Sequence, residues 1–170
     1  PVLVAKRAAS LQHLSGGRFT LGLGLGYVER DFEAVGVPYA ERSPRFSEGL
    51  ELLSRLLTER SVSFDGEFYS VEEFRLEPRL PRPPDLVVGG GGTYRDEDKT
   101  HYGTDVDGER YVPRAVLERI HRAGGWIAPG QSVGKSEVDV ERVNDFLRER
   151  DVDPASVPRY AHNYVHLVPG

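Results

Sequence analysis

Three side chains that can exchange protons or hydrogen bonds follow a glycine-rich run near the start of the chain. The run Gly22–Gly26 alternates glycine with leucine in "GLGLG", and Tyr27, Glu29 and Asp31 come directly after it. A carboxylate at such a position can act as a general acid or base. The other interpretation is that the acidic residues complement the positive end of a helix. We take Tyr27 and Asp31 as the candidate catalytic residues.

The glycine run itself reads as a β-strand with two different faces. From Phe19 to Leu25, leucines occupy one face and glycines the other. It does not match the dinucleotide fingerprint G-x-G-x-x-G, because position 27 is tyrosine. In a parallel barrel the glycine face would point inward and leave room for a flat ligand. Close packing between strands, or a bulge, is the alternative.

A second glycine run, Gly89–Gly92, follows the short apolar segment Leu86–Val88. Backbone N–H groups at the end of a buried strand can bind a phosphate. A flexible loop would have the same composition, so spacing alone leaves both interpretations open.

Other reactive motifs are missing from the sequence. There is no cysteine, hence no thiol nucleophile and no thiolate metal site. The acidic segment Asp105–Gly108 does not fit an EF-hand, because its first ligand would be Gly103 and its twelfth Arg114. We find no serine-nucleophile, P-loop or zinc-protease motif, and we predict no metal site.

The elements that must position these residues alternate between helix and strand, which predicts a parallel α/β fold. Asp65-Gly66 marks a hairpin insertion at about 61–75, and a polar loop insertion covers about 93–112. Doubly wound sheet and partial barrel both remain open on this pattern. The predicted elements are helices at 1–14, from Ser43-Pro44, at 114–123 and at 138–150, and strands at 19–25, 86–88, 126–128 and 160–168.

Composition sets broad limits. The chain has 170 residues and a net charge of −5, which argues against a general nucleic-acid binder. No apolar run approaches the roughly 20 residues that a membrane span needs, and a cytoplasmic setting fits. Because the chain begins with Pro1 and contains no methionine, we expect a fragment of a longer protein.

Taken in order, several stretches resemble the bacterial-luciferase-like oxidoreductases, and among them the coenzyme F420-dependent branch. They are "PVLVAKRAASLQHLSGGRFTLGLGLGY", "FEAVGVPYAERSPRFSEGLELLSRLLT", "VSFDGEFYSVEEFRLEP", "PPDLVVGGGG" and "AGGWIAP". The resemblance implies a TIM (β/α)8 barrel of the luciferase-like type. About half of that barrel would be present, as a single partial domain over residues 1–170.

The resemblance also implies a cofactor site. The cofactor would be F420, or alternatively FMN, with its ring over Gly24–Tyr27 and its phosphate near the second glycine run. The acidic position after the glycine strand falls on Asp31, while Arg42 and Glu48 match positions that we interpret as structural. The implied cofactor-binding residues are Gly24, Gly26, Gly89, Gly90, Gly91 and Gly92.

The function implied by this resemblance is F420-dependent hydride transfer to or from a small organic substrate. An FMN-dependent luciferase-like monooxygenase is the alternative. The resemblance also implies that the full-length protein would form a homodimer. A non-catalytic or truncated relative is a second alternative. Asp31 stands where the family usually has glutamate, and Gly124-Gly125-Trp126 lacks the aspartate of the usual "DGW".

Overall fold

The computed structural model describes residues 1–91, 112–129 and 133–161, with side chains from 137 onward in the last range. The chain divides into two compact units, Pro1–Val87 and Val88–Gly170. The assignment of one partial barrel domain over residues 1–170 stays a prediction.

Helices and strands alternate along the described residues, with one antiparallel hairpin between them. The helices are α1 (Val2–Leu14), α2 (Glu29–Ala34), α3 (Arg42–Thr58), α4 (Arg114–Ala123) and α5 (Val133–Arg148). The strands are β1 (Thr20–Leu23), β2 (Val62–Asp65), β3 (Ser70–Phe74), β4 (Asp85–Gly89), β5 (Trp126–Ala128) and β6 (Arg159–Ala161). Short 3-10 helices cover Tyr39–Glu41 and Pro154–Ser156. The predicted α/β order is confirmed, whereas α2 had not been predicted as a helix.

Helix α1 buries small residues and exposes large ones. Its buried side chains are Ala5, Ala8, Ala9 and Gln12, and this helix packs against α3. Leu11 is 46% exposed and Leu14 is 84% exposed. The predicted helix is confirmed, and Val4 and Leu11 lie on its exposed side.

Gln12 joins three segments of the first unit. Its side chain is 2% exposed. Its Nε2 donates to the carbonyl oxygens of Arg82 at 3.2 Å and Pro83 at 3.1 Å, and its Oε1 accepts from the Phe19 N–H at 3.0 Å. Since buried polar groups are costly unless paired, this amide fixes the entry to β1 relative to the segment before β4. In the sheet β1 lies beside β4.

Helix α3 provides the apolar core of the first unit. Five of its leucines are buried along one side of the helix. The helix begins at Arg42, before the predicted Ser43 cap, and Glu41 is its N-cap residue without a side-chain capping bond. Ser43 therefore lies within the first turn, because the preceding 3-10 turn runs directly into the helix. The buried leucines are Leu50, Leu52, Leu53, Leu56 and Leu57.

The predicted hairpin is confirmed, and one carboxylate holds its tip. Strands β2 and β3 pair antiparallel, with Asp65 opposite Ser70. Glu48 on α3 accepts hydrogen bonds from three consecutive backbone N–H groups, those of residues 67–69, at 2.8–2.9 Å. Each such bond to a charged acceptor is stronger than a neutral one, so the hairpin is fastened to α3. The structural role that the sequence suggested for Glu48 agrees with this geometry.

The second unit is a parallel sheet covered by helices. Val88 pairs with Trp126, and Trp126 in turn pairs with Arg159, all in parallel register. Apolar side chains from α4 and α5 surround the fully buried Trp126. The buried members of this cluster are Val112, Leu117, Ile120, Trp126, Val143, Phe146, Leu147 and Val157.

Two predicted segments extend beyond the described residues. The loop insertion at 93–112 lies outside them except for Val112, which is buried. The predicted strand at 160–168 is seen as Arg159–Ala161, and its remainder lies outside the described part of the chain. Helix α5 begins at Val133, five residues before its predicted start. Within the described ranges no helix is long and apolar enough to cross a membrane.

Candidate functional site

The end of the glycine strand is shorter and more irregular than predicted. Strand β1 stops at Leu23, so Gly24 and Gly26 follow the strand instead of lying within it. Gly26 has φ +79°, and a Cβ there would lie 3.1 Å from the ring of Phe32. A left-handed backbone and a close aromatic ring both favour glycine at this position. Gly26 is therefore explained by its own turn, without reference to a ligand.

Gly24 has a different environment. A Cβ built on Gly24 meets no atom of the described structure within 4 Å. The neighbouring Leu23 and Leu25 are partly buried, whereas Gly24 is exposed. The side of Gly24 on which a side chain would lie is therefore open in the described part of the first unit, and a ligand there stays a prediction.

Tyr27 and Asp31 lie on the segment that continues from this glycine. The Tyr27 side chain is 68% exposed, and Asp31 is exposed in the first turn of α2. The Asp31 N–H donates to the Val28 carbonyl at 3.1 Å. This location suits a general acid at the rim, the segment after β1 that carries Tyr27 and Asp31. It equally places the Asp31 carboxylate at the positive end of α2. Both interpretations of Asp31 remain open.

Tyr39 is a residue of this region that sequence reasoning missed. Its hydroxyl donates to the Tyr27 carbonyl oxygen at 3.0 Å. The guanidinium of Arg42 lies 3.7 Å from the centroid of the Tyr39 ring. An aromatic residue three positions before an arginine, at a helix start, is the signal that would have indicated this stacking. Arg42, interpreted from the sequence as structural, is placed at that helix start.

The second glycine run belongs to the second unit. Gly89 ends β4 opposite Ile127, and the Gly90 carbonyl oxygen accepts from the indole N–H of Trp126 at 2.6 Å. A Cβ on Gly90 would lie 3.0 Å from Cγ1 of Val116. Glycine at position 90 is thus favoured by its close packing against α4. Gly92 lies outside the described residues.

Gly91 is more crowded still. A Cβ there would overlap the ring of Pro129, with its Cδ at 2.7 Å. Oδ2 of Asp139, a side chain that is 3% exposed, would be 3.5 Å away. Buried Trp126 and Asp139 had not been predicted beside this run. Phosphate binding by Gly89–Gly92 stays a prediction, because packing already accounts for two of these glycines.

A buried arginine and a half-buried one occur elsewhere in the second unit. Arg119 is only 4% exposed, and this burial lowers its pKa. Burial, and secondly the nearby charge of Arg148, lowers the pKa of Arg159. Arg159 lines a surface cleft with Arg148 and Asp153, and Asp145 pairs with Arg148 at 2.8 Å.

The described residues contain no group of three or more histidine, cysteine, aspartate or glutamate side chains arranged to hold a metal ion. They do place Tyr27 and Asp31 on one short segment with Gly24 and Gly26. The other predicted cofactor-binding residues, Gly89–Gly92, belong to the second unit.

Comparisons with known proteins agree on one family. The profile of the luciferase-like monooxygenase family matches residues 1–96. The F420-dependent glucose-6-phosphate dehydrogenase of Kineococcus radiotolerans is 28% identical over 168 residues, covering 91% of this chain and 46% of that protein. The FMNH2-dependent dimethylsulfone monooxygenase of Pseudomonas putida is 33% identical over 95 residues, covering 53% of this chain and 26% of that protein.

A solved structure supports the fold. An F420-dependent secondary alcohol dehydrogenase, in complex with an F420-acetone adduct, matches with a TM-score of 0.73 at 15% identity. The match covers 95% of this chain and 44% of the solved chain. Among curated proteins, the relatives that match most of this chain are about twice as long, so the chain spans about half of their length. The fold is therefore the α/β architecture of part of a luciferase-like TIM barrel. The chain belongs to the luciferase-like monooxygenase family.

Proposed function

We propose that the full-length protein is an F420-dependent oxidoreductase that transfers a hydride to or from a small organic substrate. The observation that carries this proposal is the open side of Gly24 next to the exposed Tyr27 and Asp31. Family membership supports oxidoreductase chemistry at this end of β1. The named relatives include enzymes of both cofactor types, so the choice of F420 is part of the proposal.

The residues present fit a flat cofactor ring. Gly24 is the position where a side chain would fill the space that a ring needs, and no described atom occupies it. The cofactor, when bound, supplies the hydride chemistry, while the protein supplies orientation and a shaped site. By resemblance to the family, Gly89–Gly92 would bind the phosphate through backbone N–H groups other than that of Gly90, which donates to the Ile127 carbonyl at 3.3 Å.

The chain's own residues have simpler tasks in this proposal. Asp31 is exposed, so its carboxylate can exchange a proton with a substrate atom near the rim. Tyr27 would contact the bound substrate or ring through its exposed phenol. Gly26 keeps the turn before Tyr27 in its left-handed conformation.

The direct test is a cofactor titration of the full-length protein followed by absorbance. We expect saturable binding of F420 that is tighter than binding of FMN, because the proposal assigns the site to the deazaflavin. A protein that binds neither cofactor would contradict the proposed function. Tighter binding of FMN would transfer the assignment to the alternative below.

Asp31→Asn tests the proposed proton transfer. Asparagine keeps the size and the hydrogen-bonding capacity of the side chain but cannot take up a proton at physiological pH. We expect turnover to fall about 10²-fold or more, within the usual contribution of general acid–base catalysis, with cofactor affinity unchanged. The measurement is turnover against pH, with Glu33→Asn on the same helix as the exposed control. Unchanged turnover across the pH range would remove Asp31 from the mechanism.

An FMN-dependent monooxygenase of the same fold is the second candidate. The relative named as an FMNH2-dependent monooxygenase favours it. Oxygen consumption with reduced FMN, compared with hydride exchange with F420, separates the two candidates. A non-catalytic relative would show neither activity.

A further inference from the structure

Tyr39 lies where three pieces of the first unit meet. It opens the 3-10 turn Tyr39–Glu41, between α2 and α3. Its hydroxyl reaches back twelve residues to the Tyr27 carbonyl oxygen, at 3.0 Å. Tyr39 therefore connects the segment after the glycine strand to the start of the long helix α3.

The Tyr39 ring is held by neighbours from two elements. The Arg42 guanidinium stacks on it at 3.7 Å from the ring centroid. The Phe32 ring meets it edge-on, with centroids 5.4 Å apart and planes at 77°. Arg42 also donates from Nη1 to the Tyr39 carbonyl at 2.9 Å, so one guanidinium fixes both the ring and the backbone of Tyr39.

Phe32 extends the same set of contacts to the glycine turn. Its ring lies 3.1 Å from the position that a Cβ on Gly26 would occupy. The turn at Gly26-Tyr27 is thus contacted by the Phe32 ring and, through the Tyr27 carbonyl, by the Tyr39 hydroxyl. These two contacts set the position of the Tyr27 backbone, from which the exposed Tyr27 side chain extends.

We propose that Tyr39 is a positioning residue that holds the Gly26-Tyr27 turn in one conformation and so prepares the rim for its ligand. The consequence for the ligand rests on the proposed function, whereas the restraint on the turn does not. Tyr39 itself need not touch the cofactor or the substrate. A single neutral hydrogen bond of this kind changes a local equilibrium by about fivefold to tenfold.

Tyr39→Phe in the full-length protein is the appropriate variant, because it keeps the ring contacts and removes the hydrogen bond to Tyr27. Amide hydrogen exchange is followed over residues 29–37. The N–H groups of Val35, Gly36 and Val37 are hydrogen-bonded within this segment, and that of Asp31 donates to the Val28 carbonyl just before it. We expect exchange there to accelerate about fivefold, with a melting temperature within about 2 °C of the parent protein. Tyr160→Phe, on the exposed part of β6, is the matched control and is expected to change neither quantity.

The second measurement is the dissociation constant of whichever cofactor, F420 or FMN, the parent protein binds. We expect Tyr39→Phe to raise it about fivefold without a matching loss of stability, which a purely structural residue would not do. Unchanged exchange over residues 29–37 would overturn the restraint, whether or not a cofactor binds. Faster exchange with unchanged affinity would overturn the positioning role. Failure of the parent protein to bind either cofactor would contradict the proposed function, and the exchange result would still decide the restraint.

Discussion

Gly91→Ala is expected to lower the free energy of unfolding by about 2–3 kcal/mol, at the upper end of the usual cost of overpacking a filled site. The added Cβ would overlap the Pro129 ring, whose Cδ is at 2.7 Å, and approach buried Asp139. A proline ring cannot rotate away, so the backbone after β4 or β5 must move. Urea unfolding followed by circular dichroism measures the change.

Gly24→Ala is the matched control within the other glycine run. Its Cβ meets no described atom within 4 Å, so we expect a change in unfolding free energy within about 0.5 kcal/mol. If the proposed function is right, Gly24→Ala instead weakens cofactor binding about tenfold or more, because the methyl group takes space that the ring needs. Equal destabilisation by both substitutions would show that crowding at Gly91 is not the reason for its glycine.

Gln12→Glu is expected to destabilise the first unit by about 3 kcal/mol at neutral pH, since a buried charge left without a partner is costly. The substitution removes both N–H donors to the Arg82 and Pro83 carbonyl oxygens and replaces them with a carboxylate oxygen. That oxygen would face two carbonyl oxygens in a site where the residue is 2% exposed. Thermal unfolding measures the loss.

The pH dependence of this variant has a definite sign. Burial and the facing carbonyl oxygens raise the pKa of the introduced carboxyl above its value of about 4.3 in the unfolded chain. The variant is therefore most stable below the unfolded pKa and loses stability as the pH rises through the folded pKa. Ser10→Glu, at an exposed position of α1, is the control and should show no such loss. A melting temperature equal to that of the parent protein at pH 8 would refute the role given to Gln12.

Local signals in the sequence predicted several elements well. Helix α4 has its predicted bounds, because Pro113 precedes it and Gly124, with φ +75°, ends it. The leucine period of α3 and the Asp65-Gly66 turn gave the buried stripe and the hairpin. In each case the deciding interaction lies within a few residues along the chain. The ordered motifs likewise indicated the family before any fold was known.

Helix α1 shows where local signals fail. A helical period identifies which residues share a face, but it does not say which face the rest of the molecule covers. Here α3 packs against α1, whose buried side is formed by alanines and Gln12, and Leu14 remains exposed. The buried amide could not be predicted, because its partners near Arg82 are 70 residues away in sequence.

The candidate site divides in the same way. The sequence by itself determined that one glycine run is part of a predicted strand and a second follows one, that Tyr27 and Asp31 come after the first run, and that the chain resembles one family of oxidoreductases. Only the tertiary structure distinguished the glycines. Gly26 serves a left-handed turn against Phe32, Gly90 and Gly91 allow Val116 and Pro129 to approach, and Gly24 alone of these four adjoins open space in the described structure. The physical reason is that glycine has no side chain, so its purpose depends on neighbours brought close by the fold.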